Sequence, residues 1–343
     1  MRSDTTWTAA TVRAIRDMTP TIRLFEIAPD DGGAMWSPGS HVDIGLVVDG
    51  RADMRSYSLV GEPDGAVYRI AVKRDDQGRG GSRAMHMLKP GARVSVSSAR
   101  NHFELEFDRP EYLLIAGGIG ITPMLGMATA LMRRGASLRF LYAARSRQEL
   151  AFLPDLSAQL GERLAVFVSG EGQRIDFAAE IARLHADGQL YLCGPMRLLD
   201  DARRAWADAG RKPSGLRYET FGSSGRFAPQ AFRVRTSPQG VEVVVPENKT
   251  MLDALVEAGI DVMWDCRRGE CGLCALNVIE AAGEIDHRDV FFSERERREN
   301  TKICACVSRA VGGVLVVDTA YRGRGKTQSQ DVEKGHARTP VPA

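Results

Sequence analysis

The chain has 343 residues, with 46 Lys and Arg against 44 Asp and Glu, a net charge of +2. That length suits two or three domains, and the near-neutral balance argues against nucleic acid or any partner recognised by bulk charge. Six cysteines, at least four of them tied to one site described below, do not read as a disulfide framework and point to a reducing, cytoplasmic setting; the polar start Met1–Trp7 has no apolar signal segment.

From about residue 7 to 105 the chain alternates short β-type runs with turn residues. Runs at Thr21–Ile27, His41–Ile44, Ser56–Val60 and Val67–Val72 are broken by Asp30-Asp-Gly-Gly33, Pro38-Gly39, Pro63-Asp-Gly65 and Pro90-Gly91. This rhythm suggests a small antiparallel barrel. On one of its strands lies Arg55-Ser-Tyr57-Ser58, followed by Ala71-Val-Lys73 and the loop Gly78-Arg-Gly-Gly-Ser82. A flat isoalloxazine needs strand-edge hydrogen bonds and an aromatic neighbour such as Tyr57. Its phosphate needs amides and a cation, which Gly80, Gly81, Ser82 and Arg55 offer. The plain alternative is an ordinary strand with one exposed arginine.

Residues 111–221 change texture. Strands read at Tyr112–Ala116, Leu138–Ala144, Leu164–Val168, Leu190–Cys193 and Leu216–Glu219, with amphipathic runs at Met124–Arg134, Phe177–His185 and Met196–Ala209. Alternation of this kind predicts βαβ units and a parallel sheet. The uncharged run Tyr112–Met132 is long enough to cross a membrane. Gly117, Gly118, Gly120 and Pro123 at its centre make it a strand, a turn and a helix instead.

Ala116-Gly-Gly-Ile-Gly120-Ile-Thr122-Pro123 lacks the G-x-G-x-x-G fingerprint. With Thr122 as N-cap and Pro123 as the first helical residue, it would still direct free amides at an anion. Close packing of strand on helix is the alternative. Arg145-Ser-Arg147 follows the next strand, and Cys193-Gly194-Pro195 ends a later one, where ligands bind in such sheets. No histidine neighbours Cys193 in sequence, which disfavours a nucleophile. His41, His86, His102, His185 and His287 read as surface or satisfied residues.

Gly, Ser and Pro punctuate Gly222–Gln230 as a linker would. The third unit holds Cys266-Arg-Arg-Gly-Glu-Cys271-Gly-Leu-Cys274. This C-x4-C-x2-C spacing is that of a plant-type [2Fe–2S] site, in which a fourth thiolate arrives from further on. Gly269 and Gly272 permit the tight curl that brings the ligands together. Four-cysteine zinc is the rival, but such sites usually pair two C-x2-4-C knuckles and the chain has one. The fourth ligand is Cys306, eight residues before the final β-type run Val314–Asp318, or Cys304, which has the commoner ferredoxin spacing. The chain therefore divides as 1–106, 107–225, linker 226–236, 237–321 and a disordered tail 322–343, with no internal repeat.

Taken in this order, R-x-Y-S, G-R-G-G-S, A-G-G-I-G-I-T-P, C-G-P and the cysteine cluster resemble the phthalate dioxygenase reductase family, including vanillate O-demethylase reductases. The likeness covers residues 7 to 320. It implies an antiparallel β-barrel flavin domain, an α/β parallel-sheet NAD domain and an α+β plant-type ferredoxin domain, in that order. FMN rather than FAD is implied, because FAD-using relatives usually carry the ferredoxin at the N-terminus. Contacts to FMN would be Arg55, Ser56, Tyr57, Ser58, Ala71, Val72, Lys73, Gly80, Gly81 and Ser82, with Phe221 covering the flavin. The nucleotide would meet Gly118, Gly120, Thr122, Arg145, Cys193, Gly194 and Pro195. Ser58, Cys193 and Glu219 would line the hydride-transfer site. The C-V-S-R-A context of Cys306 matches the family's ligand segment, favouring Cys266, Cys271, Cys274 and Cys306 as ligands.

The implied activity is NADH-dependent reduction of FMN, then passage of single electrons through the cluster to a separate Rieske-type oxygenase. Arg267, Arg268 and Glu270 would form part of a transient docking face, or simply a solvated loop. Arg145 and Arg147 suit NADPH by the general rule that arginine accepts a 2′-phosphate, while the resemblance implies NADH. A cytochrome P450 acceptor and a non-enzymatic zinc module are the alternatives. The reductase is expected to be monomeric, with no membrane or nucleic-acid partner.

Overall fold

A computed structural model describes residues 6–33, 35–48, 50–221, 227 and 229–319, apart from the side chain of Arg51. The tail 322–343 lies outside the described residues, as do several positions of the linker.

The first unit comprises β1 (Trp7–Asp17), β2 (Ile22–Pro29), β3 (Ser40–Val48), β4 (Arg51–Ser58), β5 (Tyr68–Lys73), α1 (Gly81–Met87), β6 (Arg93–Ser97) and β7 (Arg100–Asn101). Its antiparallel strands run in the order β4-β3-β6-β1-β2-β5, with β7 beside β3. A bridge between Leu59 and Ile70 joins the two ends of this order, giving a nearly closed barrel. Alternate residues such as Val12, Phe25, Ile27, Val42 and Ile44 fill the interior, because successive strand side chains point to opposite faces.

The second unit alternates β8 (Tyr112–Gly117), α2 (Ile121–Arg133), β9 (Leu138–Ala144), α3 (Leu153–Leu160), β10 (Leu164–Val168), α4 (Phe177–Arg183), β11 (Gln189–Cys193), α5 (Met196–Asp208) and β12 (Leu216–Glu219). The parallel order is β10-β9-β8-β11-β12. The central strand β8 is buried along its whole length, as a strand covered on both faces must be. Tyr112–Met132 is thus a buried strand, a glycine turn and a helix. No helix among the described residues is long and apolar enough to cross a membrane.

The third unit holds β13 (Phe232–Ser237), β14 (Glu242–Val245), α6 (Met251–Glu257), β15 (Ala275–Ala281), β16 (Glu284–Asp286), α7 (Glu294–Glu299), β17 (Lys302–Cys304), β18 (Arg309–Val311) and β19 (Val314–Asp318). Its main sheet runs β14-β13-β19-β15-β17. The span 226–236 assigned to a linker therefore contains most of a strand. Phe232, Val234 and Thr236 alternate inward, and β13 pairs with both β14 and β19, so the sheet claims it.

The units adhere differently. One continuous core runs from Ile22, Leu24, Val60 and Ala71 of the barrel into Tyr112, Leu114 and Met124 of the parallel-sheet unit. The third unit has a separate core; Val290 joins the apolar cluster of the second unit, and polar contacts supply other links. Tyr218 donates to the Val290 carbonyl at 3.3 Å, and Arg297 meets Asp200 at 3.4 Å.

Candidate functional site

The cysteine loop sits between α6 and β15. None of the six cysteines is in a disulfide. The loop curls through left-handed conformations at Arg267 (φ 54°), Gly269 (φ 77°) and Gly272 (φ 73°). A side chain at Gly269 would also collide with the Asp289 backbone at 2.8 Å. The curl turns amides toward sulfur: the N–H groups of Arg268 and Cys271 each reach Cys266 Sγ at 3.4 Å. These donors suit a sulfur-ligated cluster, whose charge they stabilise.

The two candidates for the fourth ligand differ in surroundings. Cys304 ends β17, paired across the sheet with Ala275. The facing Cys274 thiol, then burial and the Asp289 charge, push its thiol up. Cys306 lies in the turn beyond. Cys274, burial and the Cys266 charge push it up, while the Gly269 amide acts in the opposite sense. Cys306 thus feels Cys274 and Cys266, at the two ends of the loop, and a loop amide, whereas Cys304 feels Cys274, Cys306 and the Asp289 charge. The facing thiols of Cys304 and Cys306 in turn hold Cys274 down to about 3.

Cys306 also forms part of the wall of a cavity between the first and third units. Arg55, Ser56 and Asp53 of β4, Arg79, Phe221, Thr250 and Asp253 at the start of α6, and Arg267 and Arg268 line it too. Four expected positions (Arg55, Ser56, Phe221, Cys306) therefore border one space. Gly81 makes room for Arg55: a Cβ there would lie 2.3 Å from Arg55 Nε. Arg79, from the G-R-G-G-S loop, adds a second guanidinium at the mouth. It remains exposed, yet crowding and then the Arg55 charge push it down. Arg55 also pairs with Asp53 and reaches the Arg79 carbonyl at 3.4 Å; two neighbouring guanidinium groups on a cavity wall fit a phosphate.

The other expected contacts vary. Tyr57 is half-buried against the barrel core, and burial pushes its phenol up. Ala71 and Val72 are buried in β5. The Lys73 ammonium pairs with Glu149 at 3.2 Å. Gly80 (φ 85°) precedes α1, and the Ser82 hydroxyl accepts from the Asp75 amide at 3.0 Å.

At the carboxyl end of the parallel sheet, Ala116, Cys193 and Glu219 lie abreast on β8, β11 and β12. The glycine turn is packed tightly against this edge. A Cβ on Gly120 would sit 2.1 Å from the Cys193 carbonyl oxygen, and one on Gly117 2.7 Å from Pro195 Cδ. Gly118 has open space around it but requires φ 55°. Thr122 is not the N-cap. A tight turn, Gly118–Gly120, runs directly into α2, so Gly120 takes the cap position. The Thr122 hydroxyl instead donates back to the Ile119 carbonyl at 3.1 Å. Pro123 accordingly sits within the first turn, not at its first position. Arg145 is exposed beyond β9. Arg147 makes a two-pronged contact with Glu171, both bonds 2.8 Å.

Ser58, Cys193 and Glu219 meet although they come from two units. Ser58 donates to Glu219 Oε2 at 3.3 Å, and Cys193 and Glu219 are neighbours in register. All three are buried. Burial, then the Glu219 charge, pushes the Cys193 thiol up; burial pushes the Glu219 carboxyl up against the opposing pull of Arg268.

Arg268 and Glu270 do not form a solvated loop or a docking face. Their side chains are 11% and 18% exposed, and Arg268 bonds Glu219 at 2.6 Å and Glu270 at 2.9 Å. Arg267 instead pairs with Asp253 at 3.1 Å and stacks on Trp264. His41 is not a satisfied residue either. It is 2% exposed with its Nδ1 unpartnered, and burial, then the Arg268 charge, lowers it to about 2. A strand residue of alternating pattern gives no sign of this, because the largest of the charges acting on it, Arg268, arrives from the third unit, and Arg100 and His102 lie far along the chain. Arg79 is a site residue the sequence motifs missed, and Arg268 one they gave a different role, that of a docking face. Arg79 had a signal, a cation inside a glycine-rich loop. Arg268 had none, since Glu219 and His102 lie 49 and 166 positions away.

Comparison with known proteins agrees with this layout. Residues 234–311 match a 2Fe-2S iron-sulfur cluster binding domain and residues 114–204 an oxidoreductase NAD-binding domain. The heme-dependent oxidative N-demethylase beta subunit of Ectopseudomonas mendocina (strain ymp) is 37% identical over 312 residues, covering 90% of this chain and 97% of that protein. The solved structure of phthalate dioxygenase reductase, described as modular for electron transfer from pyridine nucleotides to [2Fe-2S], superposes with a TM-score of 0.72 at 30% identity, covering 91% of this chain and 98% of that one. Full-length CYP116B46 from Tepidiphilus thermophilus superposes with a TM-score of 0.63 at 37% identity; 91% of this chain matches 42% of that longer protein.

Proposed function

The chain belongs to the phthalate dioxygenase reductase family, the oxidoreductase components of monooxygenase and dioxygenase systems, and from that premise we propose an NADH-dependent reductase that uses FMN and a [2Fe–2S] cluster to supply single electrons to a separate Rieske-type oxygenase or demethylase. The observation that carries this reading is the shared cavity wall: Arg55 and Phe221, from the FMN set, border the same space as Cys306. FMN held there would supply the conversion between a two-electron hydride and single electrons, and a cluster on Cys266, Cys271, Cys274 and Cys306 a one-electron exit.

The chain's own residues then have distinct tasks. Arg55 and Arg79 hold the phosphate end. The amides of the glycine turn and the Cys193-Gly194-Pro195 edge seat the nucleotide at the sheet's carboxyl end. Ser58, Cys193 and Glu219 line the buried junction where nicotinamide meets flavin, positioning the reactants and excluding water. The contact of Arg147 with Glu171 leaves it less available to a 2′-phosphate, which supports NADH. We infer a monomer with the unit division set out above, its third unit beginning at β13.

Anaerobic titration with NADH tests the reading. Flavin bands and the broad cluster absorption should both bleach, with a kcat/KM preference for NADH over NADPH. Bleaching of flavin without the cluster refutes the internal path; absence of both chromophores from fully loaded protein refutes the enzyme reading. A heme acceptor is a second reading, favoured by the 37% identities to the N-demethylase subunit and to CYP116B46. Reconstitution against Rieske-type and heme oxygenases in parallel separates the two.

A further inference from the structure

Arg268 belongs to the cluster loop, yet its contacts reach all three units. Its backbone N–H faces Cys266 Sγ at 3.4 Å. Its guanidinium donates to Glu219 Oε1 on β12 at 2.6 Å, meets Glu270 of its own loop at 2.9 Å, and lies 3.3 Å from His102 Nδ1 beyond β7. The Arg268 and Glu219 side chains are 11% and 2% exposed. A pair so buried is held by geometry, because losing either partner leaves an uncompensated charge in a poorly solvated place. Arginine suits the task, since its planar fork serves two carboxylates from fixed directions. The other links described between the third unit and its neighbours are longer: 3.3 Å from Tyr218 to Val290 and 3.4 Å from Arg297 to Asp200.

We propose that Arg268 is a positioning residue: it pins the cluster loop to Glu219 and His102 and so holds the ferredoxin unit against the cavity and the hydride junction. The proposal rests on the functional reading above. One residue then touches a cluster sulfur through its amide and the hydride-site carboxylate through its side chain, fixing the separation an electron must cross.

Two variants of the full-length, cofactor-loaded protein test this, Arg268→Gln and Arg268→Lys. Hydrogen exchange is read at 218–220 and 266–271, and flavin and cluster absorption are followed separately after rapid mixing with NADH. In Arg268→Gln, exchange should accelerate in both segments together, and cluster bleaching should slow by about tenfold or more relative to flavin bleaching, within the roughly 100-fold range of small misplacements. Arg268→Lys, which keeps the charge and loses the fork, should fall between. Wild-type exchange and bleaching in Arg268→Gln would overturn the proposal, as would slower flavin reduction with the cluster still following without lag. If Arg268→Gln loses iron, Arg268→Lys carries the test, and wild-type behaviour there overturns it. A wild-type protein in which NADH bleaches neither chromophore refutes the functional reading instead, while the exchange comparison still tests the pin.

Discussion

Replacing Cys304 and Cys306 separately with alanine distinguishes a ligand from a core residue. Cys304 and Cys306 both belong to the apolar cluster of Ile303, Leu252 and Leu276, Cys304 fully buried and Cys306 2% exposed. Cys304→Ala removes one sulfur from that packing and should cost about 1 kcal/mol, the scale of a small deletion in a core. For a unit of this size that is a fall in Tm of about 4–8 °C, with iron and sulfide content unchanged. Cys306 sits in a turn, faces Cys274, Cys266 and the Gly269 amide, and borders the cavity. Cys306→Ala should therefore abolish the cluster's visible absorption and reduce iron to background, whatever its effect on Tm. Iron and acid-labile sulfide analysis with visible spectra of anaerobically purified variants reads both outcomes. An iron-free Cys304→Ala beside a Cys306→Ala with full iron and sulfide would falsify the assignment.

Arg55→Ala should weaken FMN binding by about 1.5–3 kcal/mol, the range for hydrogen bonds to a charged group, which is roughly tenfold to 150-fold in Kd. Equilibrium flavin-fluorescence titration measures it, and wild-type affinity in the variant would remove Arg55 from the phosphate site. His41 predicts a pH dependence of stability. The fold holds it neutral down to about 2 through burial and the Arg268 charge, whereas unfolded histidine titrates near about 6.5. The unfolded state therefore takes up a proton that the folded state refuses, and stability falls as pH drops below about 6.5, by up to about 1.4 kcal/mol per unit for this group. Nothing is lost on this account above that pH. Urea unfolding across this range should show a shallower slope in His41→Gln, and an unchanged slope would show that His41 does not titrate differently in the two states.

Much of this architecture was legible because it depends on local rules. The period-two runs of the barrel, the strand–helix alternation of the second unit and the tight curl of the cysteine loop are set by residues close together in the chain. Leu138–Ala144, Leu164–Val168 and Leu216–Glu219 are strands over the spans read from their apolar patterns. Boundaries failed where tertiary contacts decide them. Thr122 looks like a cap until the turn Gly118–Gly120 is seen to run straight into α2. Phe232 looks like linker until β14 and β19 are in place to pair with it.

The cysteine spacing of the candidate ligating loop and the succession of a β-rich, a β/α and a cysteine-bearing unit follow from the sequence by itself, since spacing and pattern state them directly; the flavin and nucleotide contacts are what the family resemblance implies. The tertiary structure alone decided what those residues face. Ser58 and Glu219 lie 161 positions apart, and Arg268 and His102 lie 166 apart. No periodicity reports such a meeting, because it is produced by three units packing together. The same packing turned Arg268 from an apparent surface charge into a buried partner of Glu219, and Glu270 into a partner of Arg268. Charge in the interior persists only where an opposite charge is held beside it, and only the assembled fold brings that partner there.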